Sequence, residues 1–229
     1  MFFSFFQELG LLEADINLEV GSGSHALQTA EIMKRFEPVL MEQQPDVLLV
    51  VGDVNFTIAC TLVASKINYP EGNNIRRPLI VHVEAGLRSF DREVPEEVNR
   101  VLTDAISDVL FVTEESGRTN LLAEGVAEDK IHFVGNVMID TLQRHIAKAC
   151  RSMIKQDLGI TKLYALLTLH RPSNVDKKET LQSLIESIQH VAKKSHVVLP
   201  VHPRTRQGLK TYNLLQSLEN DKTLHCQSR

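Results

Sequence analysis

A chain of 229 residues that is 43% hydrophobic and 24% charged is large enough to bury one sizeable core or two smaller ones. Its net charge of -4 and isoelectric point near 6.1 give no general basic field, which sets nucleic acid aside as a partner. Cys60, Cys150 and Cys226 have none of the paired spacings of a zinc site or redox dithiol, so free thiols of a cytoplasmic protein are expected.

In chain order, the opening Met1-Phe2-Phe3-Ser4-Phe5-Phe6 is apolar but short, with neither a basic n-region nor a small-residue cleavage site. It reads as a helical turn packed on a core, not as a signal peptide or membrane span. Beyond it, short β-branched runs alternate with amphipathic segments, the pattern of βα units and a parallel sheet. Strands are predicted at 47–51, 79–83, 109–112, 131–134, 163–169 and 197–201. Helices are predicted at roughly 26–43, 57–67, 96–106, 117–123, 137–153, 178–193 and 205–218. In the first helix Ala26, Ala30, Met33, Phe36 and Leu40 share one face, and Pro45-Asp46 stops it. Pro70 to Pro78, with Gly72, Asn73 and Asn74, reads as a surface loop. The polar stretch from Lys155 to Lys162 has a single glycine and reads as an interdomain link. The expected organisation is therefore a domain over 1–154, a linker over 155–162 and a second domain over 163–229.

Residues suited to chemistry gather where the predicted strands stop. Gly52-Asp53-Val54-Asn55 follows the first strand, and Asp53 is either the N-cap of the next helix or a carboxylate aimed into a cleft. Residues 82–100, His-Val-Glu-Ala-Gly-Leu-Arg-Ser-Phe-Asp-Arg-Glu-Val-Pro-Glu-Glu-Val-Asn-Arg, put Glu84, Arg88, Glu96 and Arg100 just past a buried strand. Ligands of open α/β sheets bind at such carboxyl ends. Glu84 precedes a small-residue turn and is either ion-paired with Arg88 or addressed to a ligand. Glu96, behind Pro95, is either an acidic helix opening that complements the macrodipole or a second proton-handling group. Arg88 and Arg100 either neutralise phosphates or pair with Glu84 and Glu97. Further strand ends carry Gly135-Asn136, where Asn136 is alternatively an N-cap, then Thr168-Leu169-His170-Arg171 and Val201-His202-Pro203-Arg204.

Taken together, Gly52-Asp53, the run from His82 to Arg88, Pro95-Glu96-Glu97 with Asn99-Arg100, Gly135-Asn136 with Asp140, Thr168 to Arg171 and Val201-His202-Pro203 resemble the non-hydrolysing UDP-N-acetylglucosamine 2-epimerases, in that family's order and with nearly its spacing. The resemblance implies two Rossmann-like α/β domains of GT-B type, parallel sheets flanked by helices, with UDP-sugar held between them and no metal or other cofactor. The implied reaction removes the C2 proton and expels UDP to give 2-acetamidoglucal, then returns UDP and protonates the opposite face, exchanging UDP-GlcNAc with UDP-ManNAc for cell-surface polysaccharide synthesis. Carried over by position, Asp53, Glu84, Glu96 and His170 are catalytic, and Arg88, Arg100, Asn136 and Arg171 bind substrate. Arg171 and His202 fall where the family has been linked to a second, regulatory UDP-GlcNAc. A homodimer is implied, with no membrane partner.

The departures raise alternatives. The family opens with a strand ending in Gly-Thr-Arg-Pro-Glu and later carries a Gly-rich Asp-Ser-Gly-Gly turn that grips the diphosphate; neither occurs in this sequence, so both domains are expected to be incomplete. Phe56 stands where the family has a small hydroxyl residue, and the tail from Thr223 to Arg229 does not resemble its continuation. A catalytically silent truncated fragment, or a hydrolysing epimerase that releases ManNAc, are the competing expectations.

Overall fold

The computed structural model describes residues 10–70, 76–219 and 224–228; the turn expected at Phe2 to Phe6 and the loop residues Gly72 to Asn74 lie outside them. The chain divides into two compact units, Met1–Arg144 and His145–Arg229.

The first unit is built on a parallel sheet of β1 (Val47–Val51), β2 (Leu79–Val83), β3 (Val109–Val112) and β4 (Ile131–Phe133), in that spatial order. The register sets Val50 beside His82 and Val83 beside Phe111, so the strands finish along one edge. Helix α1 (His25–Gln43) precedes β1, α2 (Asn55–Lys66), α3 (Pro95–Ile106) and α4 (Glu115–Ala123) run between the strands, and α5 (Val137–Cys150) follows the last one. Ser24 caps α1 by accepting the Leu27 N–H, leaving one fewer orphan donor at that helix start. The buried stripe of α1 is Ile32 and Leu40 with half-buried Phe36 and Met33, whereas Ala26 and Ala30, predicted to share that face, are exposed. Larger side chains one turn further on capture the core because they remove more apolar area from water. Leu40, Ala64, Ile67, Tyr69 and Ile80 form one apolar cluster, and Ala85, Leu110, Val112, Leu121 and Ile131 another.

The second unit is a parallel sheet of β5 (Tyr164–Leu166), β6 (His196–Val201) and β7 (Leu224–Ser228), with β6 in the middle. Helices α6 (Ile154–Asp157), α7 (Pro172–Val175), α8 (Lys178–Ala192), α9 (Pro203–Thr211) and α10 (Leu215–Glu219) complete it. Leu181, Ile185, Ile188 and Ala192 recur on one face of α8 and are buried with Val197, Leu199, Leu209 and Leu224.

Three sequence expectations need correction. The division between units falls inside α5 and not at 155–162. That polar stretch instead holds the end of α6, closed by Gly159 at φ 66 and by the Ile160 N–H on the Lys155 carbonyl, a Schellman stop. The helix expected over 205–218 breaks into α9 and α10 for the same reason, with Asn213 left-handed at φ 57 and the Leu214 N–H reaching the Leu209 carbonyl. The predicted strand 163–169 shortens to β5, and the unassigned tail supplies β7, whose Leu224 pairs with Val197.

The turn after β2 lies against the first residues of α4. A Cβ on Gly86, whose φ is 77, would stand 2.3 Å from the Gly117 carbonyl oxygen, while Gly125, at φ 84, has open space around it. Gly86→Ala is therefore expected to lower stability by roughly 3 kcal/mol or more, from left-handed strain and a backbone clash together, against about 1 kcal/mol for Gly125→Ala. Urea unfolding measures both, and equal losses would contradict this packing.

Candidate active site

Parallel strands that end together leave their following turns on a single edge. Gly52 follows β1 with φ 71 and Glu84 follows β2 with φ 70. A residue with a side chain rarely adopts that conformation, and it persists only where surrounding contacts over-determine it.

The contacts come from the inward face of α3. The Asp104 side chain, 1% exposed, has Oδ1 2.7 Å from His82 Nδ1. Its Oδ2 accepts the Gly86 N–H at 3.0 Å and Arg88 Nη1 at 2.7 Å. His82 is fully buried and sets its Nε2 2.9 Å from the Gly52 carbonyl oxygen. Arg88 also forks onto Glu124 at 2.7 and 2.6 Å. Burial alone would lower the Arg88 value; hydrogen bonds and charge from Glu124 and Asp104 outweigh it and raise the value above that of a free guanidinium. Expected as a substrate contact or a partner of Glu84, Arg88 is instead a buried cation spent on Asp104 and Glu124. Its planar fork suits paired carboxylates, and the buried Asp104 together with the surface carboxylate of Glu124 holds it in place of Glu84.

Glu97 makes a second anchor. Its side chain is 2% exposed, accepts the N–H groups of Ser89 and Phe90 at 3.0 Å each and takes Arg100 Nη1 at 2.5 Å. Burial by itself would raise the Glu97 carboxyl, but the Ser89 and Phe90 N–H groups, the Ser89 hydroxyl and the Arg100 charge together hold it below the usual carboxylate value. The other arm of Arg100 pairs with Asp53, and Asn99 donates to the Asp53 carbonyl at 2.9 Å. Asp53 is not a helix cap: that position is Val54, with no side-chain cap bond. Arg100 has the partner the sequence offered it in Glu97 and gains Asp53 as well.

Glu84 and Glu96 differ from these. A Cβ built on Gly52 would lie 3.7 Å from Glu84 Oε2, so this half-buried carboxylate overhangs the turn that carries Asp53. Glu96 stands exposed in the first turn of α3. Neither carboxylate has a hydrogen bond or ion pair among the described residues. The edge thus combines one carboxylate tied to a guanidinium with two that are untied, a division that suits proton transfer between groups of unequal basicity. Phe56, in the first turn of α2, exposes 41% of its surface next to Asp53 in the chain.

Asn136 accepts the Met138 N–H on its carboxamide oxygen at 2.9 Å, the bond its capping alternative calls for. In the second unit His170 and Arg171 are exposed beyond β5. The His170 ring lies 6.0 Å from that of His202, and His202 caps α9 by accepting the Arg204 N–H at 3.2 Å. A cavity of about 650 Å³ opens at the amino ends of the first sheet, among Asp46, Lys66, Arg76, Arg77 and Asp108, away from the carboxylate edge. Among the described residues no three His, Cys, Asp or Glu side chains gather to hold a metal ion, and no described helix is long and apolar enough to cross a membrane.

Sequence reading missed Asp104 and Glu124, and took His82 only as part of a motif. The available signal was the spacing of Glu97, Arg100 and Asp104, which puts charges on one stripe of α3. That stripe carries Val101 beside it, as an inward face does.

The family model described as UDP-N-acetylglucosamine 2-epimerase matches residues 1–228. The chain belongs to the UDP-N-acetylglucosamine 2-epimerase family. It is 44% identical over 223 residues to a UDP-N-acetylglucosamine 2-epimerase of Methanococcus maripaludis, a match covering 95% of this chain and 58% of the relative. A UDP-2,3-diacetamido-2,3-dideoxy-D-glucuronate 2-epimerase of Pseudomonas aeruginosa is 38% identical over 213 residues, or 92% of this chain and 57% of the relative. The crystal structure of the Methanocaldococcus jannaschii UDP-GlcNAc 2-epimerase in complex with UDP-GlcNAc and UDP superposes with a TM-score of 0.83 at 40% identity, covering 98% of this chain and 60% of that one. The chain therefore spans less than two thirds of the length of these family members.

Because the folded-state carboxyl of Glu97 is held low, its stabilisation is present above the ordinary glutamate value of about 4.3 and is lost as pH falls through the depressed folded value. Glu97→Gln is expected to cost about 3–5 kcal/mol at neutral pH, with the gap to wild type narrowing below about pH 4. Urea unfolding between neutral and acidic pH tests this, and a gap that stays constant would contradict it.

Proposed function

We propose that this chain carries the proton-handling side of a nucleotide-sugar 2-epimerase acting at C2 of UDP-N-acetylglucosamine. One carboxylate takes the C2 proton, the C–H electrons form the C1=C2 bond, and the C1–O bond breaks with UDP leaving as an anion. Return of UDP to C1 and delivery of a proton to the other face of C2 gives UDP-N-acetylmannosamine, a precursor suited to cell-surface polysaccharide in the cytoplasm. Two faces call for two proton-handling groups or one mobile one.

The observation that carries this reading is the contrast at the carboxylate edge. Asp53 is tied to Arg100, while Glu84 and Glu96 are free of protein partners among the described residues. Glu84 and Glu96 are the acid and base, with Asp53 a fixed charge held by Arg100. The same contrast argues where the diphosphate does not go. With Arg88 neutralised by Asp104 and Glu124, and Arg100 shared by Asp53 and Glu97, this edge has surplus negative charge and would repel a diphosphate. The phosphate contacts are assigned to His170 and Arg171, exposed at the strand ends of the second unit, and His202 to a regulatory nucleotide-sugar contact. The acting species is a homodimer and needs no metal or other cofactor. The name of the Pseudomonas aeruginosa relative supports the same C2 chemistry on a 2,3-diacetamido sugar acid as a second substrate class.

Incubation with UDP-GlcNAc in deuterated water is expected to erase the H2 proton signal, with Glu84→Gln and Glu96→Gln each slowing this by roughly 100- to 10,000-fold. Recovery of the sugar as UDP-ManNAc, and not as free ManNAc, separates epimerisation from hydrolysis. Absence of exchange at enzyme concentrations equal to substrate would sink the proposal for this chain.

A further inference from the structure

The epimerase reading leaves unexplained why a histidine is sealed inside the sheet two residues before Glu84. His82 is 0% exposed, and each of its ring nitrogens meets an oxygen: Nδ1 the carboxylate of Asp104, Nε2 the carbonyl of Gly52. A peptide carbonyl can only accept. The second oxygen of Asp104 is already taken by Arg88 and the Gly86 N–H, so this group is held as an acceptor as well. A neutral ring has one N–H and one lone pair. It would satisfy one oxygen and turn its lone pair on the other.

We propose that His82 is a positioning residue which, carrying a proton on both ring nitrogens, ties the Gly52–Asp53 turn to the Glu84–Gly86 turn and so fixes two site carboxylates relative to each other. The geometry explains how Glu84 keeps its left-handed backbone at φ 70. Its neighbours on either side, His82 and Gly86, are both held by the same aspartate, while the far nitrogen of His82 holds the peptide that leads into Asp53. Removing the ring frees the Gly52 carbonyl and loosens one turn against the other.

Two measurements on the full chain test the proposal. In ring proton–nitrogen correlation spectra of the labelled wild type at neutral pH, His82 is expected to show two N–H resonances; one N–H with one bare nitrogen would overturn it, whether or not the chain is an epimerase. His82→Gln can keep only one of the two contacts. Relying on the epimerase reading, its kcat for C2 exchange is expected to fall roughly 10- to 100-fold, the scale of a small misplacement of catalytic groups, with KM within about threefold because His82 does not touch substrate. A folded His82→Gln protein with wild-type kcat would also overturn the proposal. If the wild type itself gives no exchange, the epimerase reading fails and the spectra decide this one; they decide it equally if the variant does not fold.

Discussion

A carboxylate removed from water needs its charge answered on both oxygens, and in this protein that demand is made by Asp104. Its two oxygens gather a ring nitrogen of His82, a guanidinium nitrogen of Arg88 and the backbone N–H of Gly86. These three partners come from β2 and the turn that follows it, and Asp104 itself from α3. The pairing therefore fastens the helix to the strand and sets the path of the chain between them. It also carries across to β1, because His82 reaches the Gly52 carbonyl with its other nitrogen. The packing of Gly86 on Gly117 closes the same turn from the side of α4, leaving little freedom in where Glu84 emerges.

Glu97 repeats the arrangement two turns earlier on α3. By accepting two consecutive N–H groups, of Ser89 and Phe90, it fixes the loop between the two free glutamates, and through Arg100 it fixes Asp53. One helix thus supplies two buried acids, Glu97 and Asp104, that hold the turns and one exposed acid, Glu96, left without a partner among the described residues. Adjacent residues Glu96 and Glu97 share a residue type and part roles only by the side of α3 on which they fall.

That division explains what could be read from the sequence. The strands at 47–51, 79–83 and 109–112 stood out as short β-branched runs, and Gly52-Asp53 and Glu84 after the first two marked the edge where the candidate site residues gather. A hydrogen-bond partner far along the chain leaves no such mark. Arg88 looked available because its nearest acid in sequence was Glu84, while its real partners are 16 and 36 residues away. Helix ends set by a left-handed residue, at Gly159 and Asn213, were hidden inside polar or amphipathic stretches. The strand Leu224–Ser228 was hidden by its histidine, cysteine and glutamine, since it owes its place to pairing with β6 and not to an apolar run of its own.

The central claim is that a nucleotide-sugar meets the first unit at the carboxyl edge of its sheet, where these two anchored turns lie. Backbone amide shift mapping during titration with UDP-GlcNAc tests it most directly. Perturbations are expected to centre on Asp53, Glu84 and Glu96, with Asp46, Arg77 and Asp108 around the cavity at the amino ends of the strands left unchanged. Perturbations centred on that opposite cavity, or none in the first unit at saturating ligand, would contradict it.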